Sequence, residues 1–219
     1  MFAGHFGVAF GLKRWAPHIS LGVLMMATQW VDLVWPTLLL AGWERVLIEP
    51  GITVVTPLDF VHYPFTHSLL AGLLWAGLVA IVYRFGAKSK PGALILGAAV
   101  LSHWVLDLLV HRPDLPLLPG GPFWGLGGWN SQIATTVLEA LFFGGGVWLY
   151  AKATRAKDAV GRWSLRGLVA FIALIQVSNQ LGPPPPSVTA IAWVGQAQWL
   201  LVIWGFWIDR HRTAVAPAA

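Results

Sequence analysis

Residues 101–114, LSHWVLDLLVHRPD, end an apolar run long enough to cross a membrane, yet they carry His103, Asp107 and His111 at four-residue intervals. Such spacing stacks side chains on one helical face. A charged group at the bilayer centre costs on the order of 3 kcal/mol even on the lenient insertion scale. A stripe of this kind therefore has to face a protein interior and find partners there.

The rest of the chain explains why that interior is a helix bundle. Of its 219 residues, 57% are hydrophobic and 11% charged, with a mean hydropathy of +0.67. Soluble domains carry roughly 25% charged residues. The expected class is all-α, a polytopic membrane bundle of six transmembrane helices plus a short N-terminal helix. The spans are expected at about 19–41, 66–84, 92–111, 131–151, 166–182 and 188–208, with a kink at Pro36. The opening MFAGHFGVAFGL is too short to span, at roughly 18 Å if helical, and it lacks the preceding positive charge of a signal peptide. Residues 1–213 are read as one membrane-embedded domain and 214–219 as a disordered tail. The absence of cysteine removes disulfides and thiolate metal sites.

Basic residues fall on alternate connections. Lys13 and Arg14, then Arg84, Lys88 and Lys90, then Lys152 through Arg166, and finally Arg210 and Arg212 share one side. Only Arg45 and Arg112 fall on the other. The positive-inside rule makes the populated side and the C-terminus cytoplasmic, and a bacterial or archaeal cytoplasmic membrane is expected. The net charge of +5 is thus read as an orientation signal, with no nucleic-acid partner implied. Trp43, Trp124 and Trp129 are expected in an interfacial belt.

The polar residues gather at one depth. His103 is roughly 12 Å inside the outer end of its helix and Asp32 roughly 13 Å, with Glu139 comparable. His67 is near the outer mouth, with His62 in the preceding loop. Imidazole with carboxylate suits a divalent metal, zinc first and manganese or iron as alternatives. An i,i+4 His/Asp pair can present two ligands to one ion. His62 and His111 are read as rim residues, Asp114 as capping or solvating the loop after Pro113, and His18 and His211 as solvated.

Four motifs then resemble a known family. HYPFTHS at residues 62–68 resembles a His-Arg-Gly-x-Thr-His-Ser signature, and SHWVLD at 102–107 a Ser-His-x-x-x-Asp signature. GHFGVAFG matches an N-terminal His motif, and TQWVDLVWP falls where Pro-Asp-x-Asp is common. Together they resemble the inner-membrane-associated metal-dependent hydrolases that include LexA-binding membrane proteins, over about residues 1–114. Two departures are Tyr63-Pro64 in place of Arg-Gly, and a single carboxylate around Asp32.

The resemblance implies a hydrolase with His5, Asp32, His67, His103 and Asp107 as metal ligands. Glu139 or His62 would transfer the proton. A site in the extracytoplasmic half favours an ester or phosphoester of a lipid or amphiphile, with membrane lipids as neighbours. Two other classes use the same residues: an ion- or proton-coupled transporter, and a non-catalytic scaffold whose polar cluster orders helices. Oligomeric state is not legible.

Overall fold

The computed structural model describes residues 1–215. Its backbone is mostly helical. A short apolar helix α1 (Ala3–Leu12) leads into α2 (Leu21–Thr28) and α3 (Trp30–Leu40). After a hairpin of β1 (Arg45–Ile48) and β2 (Leu58–His62) comes one helical turn, α4 (Pro64–His67). The long helices α5 (Leu69–Gly86) and α6 (Lys90–Val110) follow, then a two-residue pair β3 (Leu115–Pro116) and β4 (Phe123–Trp124). Helices α7 (Gln132–Ala153) and α8 (Ala159–Leu181) flank β5 (Thr154–Ala156). Helices α9 (Val188–Gln196) and α10 (Gln198–Arg210) end the bundle, and β6 (Arg212–Ala214) pairs with β5.

Five stretches, with Val188–Arg210 taken as one, are long and apolar enough to cross a membrane, and α2 with α3 makes a sixth if that bent pair is one span. Their outward faces carry bare apolar side chains such as Leu74, Phe85, Leu94 and Ile133. In water such a surface would be an aggregation liability, whereas acyl chains solvate it. These features point to an integral membrane protein.

Two expectations need correction. The bend in the first span, 56°, falls at Gln29 rather than at Pro36. Gln29 serves as the C-cap of α2 and the N-cap of α3, so the hydrogen-bond ladder is interrupted there, while Pro36 is accommodated inside α3. Helix α8 starts seven residues before its expected position, because the Asp158 carboxylate accepts from the Gly161 amide (2.7 Å) and caps it. The connections contain short antiparallel pairs, two at the end where α6 terminates and one at the other. The tail expected from residue 214 lies outside the described residues from 216 onward; Ala214 is in β6, and the Val215 amide donates to the Ala153 carbonyl (2.8 Å).

Helix α1 is the hub. It packs against α7, α2 and α6 and touches α8. Phe6, Phe10, Leu24, Met25, Leu96 and Leu168 are fully buried around it. Gly7 and Gly146 set its closest approach: a Cβ on either would enter the backbone of the facing helix. Gly144 and Gly145, by contrast, have open space beside them. Helix α8 leans on α10, and across from α7 it is reached by the Thr136 hydroxyl, which donates to Gln180 Oε1 (3.3 Å). A large cavity opens among α8, α9 and the β1–β2 loop.

Candidate metal centre

Four elements deliver five side chains to one place. The final turns of α6 supply His103 and Asp107, both buried and one above the other on its inner face. The first turn of α3 supplies half-buried Asp32, helix α4 supplies His67, and α1 supplies His5, which is fully buried. Two triads can each hold a metal ion, His5–His103–Asp107 and Asp32–His67–His103, with His103 common to both. His103 Nε2 lies 3.2 Å from Asp107 Oδ2 and 3.6 Å from Asp32 Oδ1. His67 Nε2 lies 3.3 Å from Asp32 Oδ1 and 3.9 Å from Asp107 Oδ2. The His5 ring stacks on the His103 ring, centroids 3.6 Å apart, and its Nε2 lies 3.1 Å from Asp107 Oδ1. The Met1 nitrogen also donates to that oxygen (2.6 Å).

Ring orientation is set from behind. The bend at Gln29 ends α2, and a terminal carbonyl of that helix, Thr28, accepts from His103 Nδ1–H (2.8 Å). With the proton on Nδ1, the neutral ring turns the lone pair of Nε2 inward, and this buried atom has no hydrogen-bond partner. His67 is fixed by a side-chain relay instead. The Thr66 hydroxyl donates to Glu44 Oε2 (2.7 Å), so it accepts from His67 Nδ1–H (2.7 Å). Glu44 Oε1 accepts from the Phe65 and Thr66 amides (2.8 and 2.9 Å), which holds α4 in place. Burial pushes the Glu44 carboxyl above the usual carboxylate range, against the pull of His67 and these hydrogen bonds. An Nδ1 proton given to an oxygen and an Nε2 lone pair facing carboxylates is the arrangement of metal-ligating histidines. The donor set fits a divalent ion that accepts nitrogen and oxygen.

Of the two residues expected to transfer protons, Glu139 lines the same cavity as the cluster and His62 does not. Glu139 is buried on α7, but its oxygens accept from the Phe2 and Gly4 amides (2.8 and 2.7 Å). It thus caps α1 and holds His5 in position. His62 is exposed at the end of β2, where it pairs in register with Arg45. His111, read as a rim residue, is buried and lines the cavity. Its Nδ1–H donates to Asp114 Oδ1 (2.9 Å), and its Nε2 lies 4.0 Å from Asp107 Oδ2. Arg112 pairs with Asp114 (2.9 Å) and with Asp59 of β2. Trp129, expected in the interfacial belt, instead covers His111 with ring centroids 4.2 Å apart, whereas Trp43 and Trp124 are exposed.

Sequence reasoning missed Glu44 and gave Thr66 no role beyond its place in the HYPFTHS motif. Glu44 is next to Arg45, which invites the reading of a surface ion pair, and no periodic pattern links it to His67. The Thr-His dipeptide was the available signal, because a hydroxyl adjacent to a ligand histidine is placed to fix its tautomer.

No family model matches the chain, and comparison with curated proteins and with solved structures finds no match. The resemblance to the membrane hydrolases therefore rests on its motifs and on the cluster those motifs build.

Proposed function

We propose that the protein is a metal-dependent membrane hydrolase acting on an ester or phosphoester of a lipid-like amphiphile. One observation carries this reading: five side chains from four elements converge, with the buried Nε2 of His103 left unpartnered beside two carboxylates. His5, Asp32, His67, His103 and Asp107 would hold the metal, with zinc preferred. A divalent ion bound by these residues would supply Lewis acidity and make a water more acidic near neutral pH. Thr28 and the Glu44–Thr66 pair orient the ligand rings. His111, with its tautomer set by Asp114, would hold a proton at Nε2 on the cavity wall; Glu139 lines the same cavity but its oxygens are taken up by the Phe2 and Gly4 amides.

The cavity measures about 1010 Å³ and reaches both carboxylates. Compact ligand sites occupy roughly 300–1,000 Å³, so it suits a substrate with a sizeable apolar part. A transporter reading has less support, since the core on the far side of the cluster is built of Phe6, Phe10, Leu24 and Leu96. Metal analysis of the purified protein tests the proposal. Stoichiometric metal that falls to background in His103→Ala is expected; an undiminished metal content in that variant would exclude the site.

A further inference from the structure

The start of α8 and the end of α10 meet at the end of the bundle opposite the triads. A Cβ on Gly161 would strike the His211 carbonyl, and Lys157 Nζ donates to the Arg210 carbonyl (3.1 Å). Five cationic side chains belong to this junction, Arg155, Lys157, Arg162, Arg166 and Arg210, and all are exposed. Of the chain's nine acidic side chains, only Asp158 and Asp209 lie at this end. Both are occupied. Asp158 accepts from the Gly161 amide (2.7 Å) and His211 (2.8 Å), and Asp209 from Lys13 (2.7 Å) and the Leu21 amide (2.9 Å). Arg212 is committed internally, donating to Thr154 and to the Gly161 carbonyl. Among the described residues, then, none of the five exposed cations is in an ion pair.

The arrangement on α8 says which anion fits. Arg162 and Arg166 are one helical turn apart on the same face, about 6 Å in rise. At that spacing two guanidinium groups can grip one phosphate. The Arg166 guanidinium lies over the Trp163 ring, 4.9 Å from its centroid, and Trp163 is 63% exposed. Stacking of this kind fixes the guanidinium plane and leaves its N–H edge free. Further along both helices the exposed side chains turn apolar, with Phe171 and Leu174 on α8 and Ile203 and Trp207 on α10. An indole at the boundary between a basic and an apolar surface marks the headgroup level of a bilayer. An acidic protein would be drawn by the charge alone, whereas a lipid matches both the cations and the apolar surface that adjoins them.

We infer that the α8–α10 junction is a binding site for an anionic phospholipid of the adjoining leaflet, with Arg162 and Arg166 on its phosphate and Trp163 beside the upper part of its acyl chains. The site is independent of the metal centre at the other end. The test is lipid binding to the full-length protein in neutral detergent, with bound lipid counted by native mass spectrometry. The probes are dioleoyl phosphatidylglycerol and dioleoyl phosphatidylcholine, which share their chains and differ in net charge. Phosphatidylglycerol is expected to bind at least about 10-fold more tightly, the effect of two basic residues at a membrane surface. Arg162→Gln combined with Arg166→Gln should remove most of that preference. Arg162→Gln alone should weaken phosphatidylglycerol about 5-fold, and it keeps the test open if the double variant does not fold. Lys88→Gln combined with Lys90→Gln removes the same charge from the α5–α6 connection and should leave the preference intact. Equal affinity of the native chain for the two lipids would overturn the inference, as would an equal loss in the lysine variant. Displacement of phosphatidylglycerol by excess inorganic phosphate would overturn it in favour of a site for free anions.

Discussion

Glu44 is one hydroxyl removed from His67 and still determines which ring nitrogen faces the carboxylates. Changing Glu44 to Ala, or Thr66 to Val, releases the Nδ1 proton from its acceptor and lets the ring change tautomer. Metal affinity is expected to fall roughly 10–100-fold, the usual effect of losing an outer-sphere partner, and Glu44→Gln should retain more of it than Glu44→Ala. Calorimetric titration with zinc measures this, and equal affinities across the series would remove Glu44 from the site. His111→Asn should act differently: metal content stays intact while hydrolysis slows by about 10²-fold or more, as expected for loss of an acid–base group. At this scale the sequence was most informative about residues on periodic helices. His103 and Asp107 declare themselves by spacing, and His5, Asp32 and His67 by motif. Glu44 and Thr28 do not, because their roles depend on where the chain bends.

The bend at Gln29 is itself an element-scale device. It ends α2 where the Thr28 carbonyl can meet His103, and restarts the helix so that Asp32 stands in the first turn of α3. Composition located the span but gave no sign of the break, since Gln29 lies within a largely apolar run while Pro36 offers the more obvious interruption. The hairpin β1–β2 was equally hidden, being short and made of residues that also suit a loop. Helix α1 tests the element-scale account directly. Glu139→Ala leaves two amides at its start unsatisfied and should destabilise the protein by about 1–3 kcal/mol, read by chemical unfolding in detergent. Gly146→Leu should do at least as much damage by forcing α7 away from Gly7. Both variants should lose metal in proportion to the unfolded fraction; normal metal content in a protein lacking α1 packing would show that His5 is dispensable.

At the scale of the whole molecule the two ends do different work. The end opposite the triads is fastened by an ion pair of Lys13 with Asp209 (2.7 Å), whose Oδ2 also accepts from the Leu21 amide, and by a hydrogen bond from His211 Nδ1–H to Asp158 (2.8 Å). The His211 hydrogen bond and the Gly161 amide hold the Asp158 carboxyl below its usual range. A depressed carboxylate contributes stability above its unfolded value, near pH 4, and that contribution disappears as the pH falls through the lowered value. Hydrogen-exchange protection of the Gly161 amide should therefore drop on acidification below about pH 4. In Asp158→Ala it should be low throughout and lack that step. A native protection profile that is flat across this range would refute the assignment.

All five triad residues precede residue 108, whereas α8, α9 and the prolines between them form much of the cavity wall. The candidate metal triads and much of the cavity wall thus belong to different stretches of the polypeptide. An altered α8–α9 segment could reshape the cavity without disturbing a single candidate metal ligand. Grafting experiments that exchange only residues 171–201 have a natural boundary in this architecture.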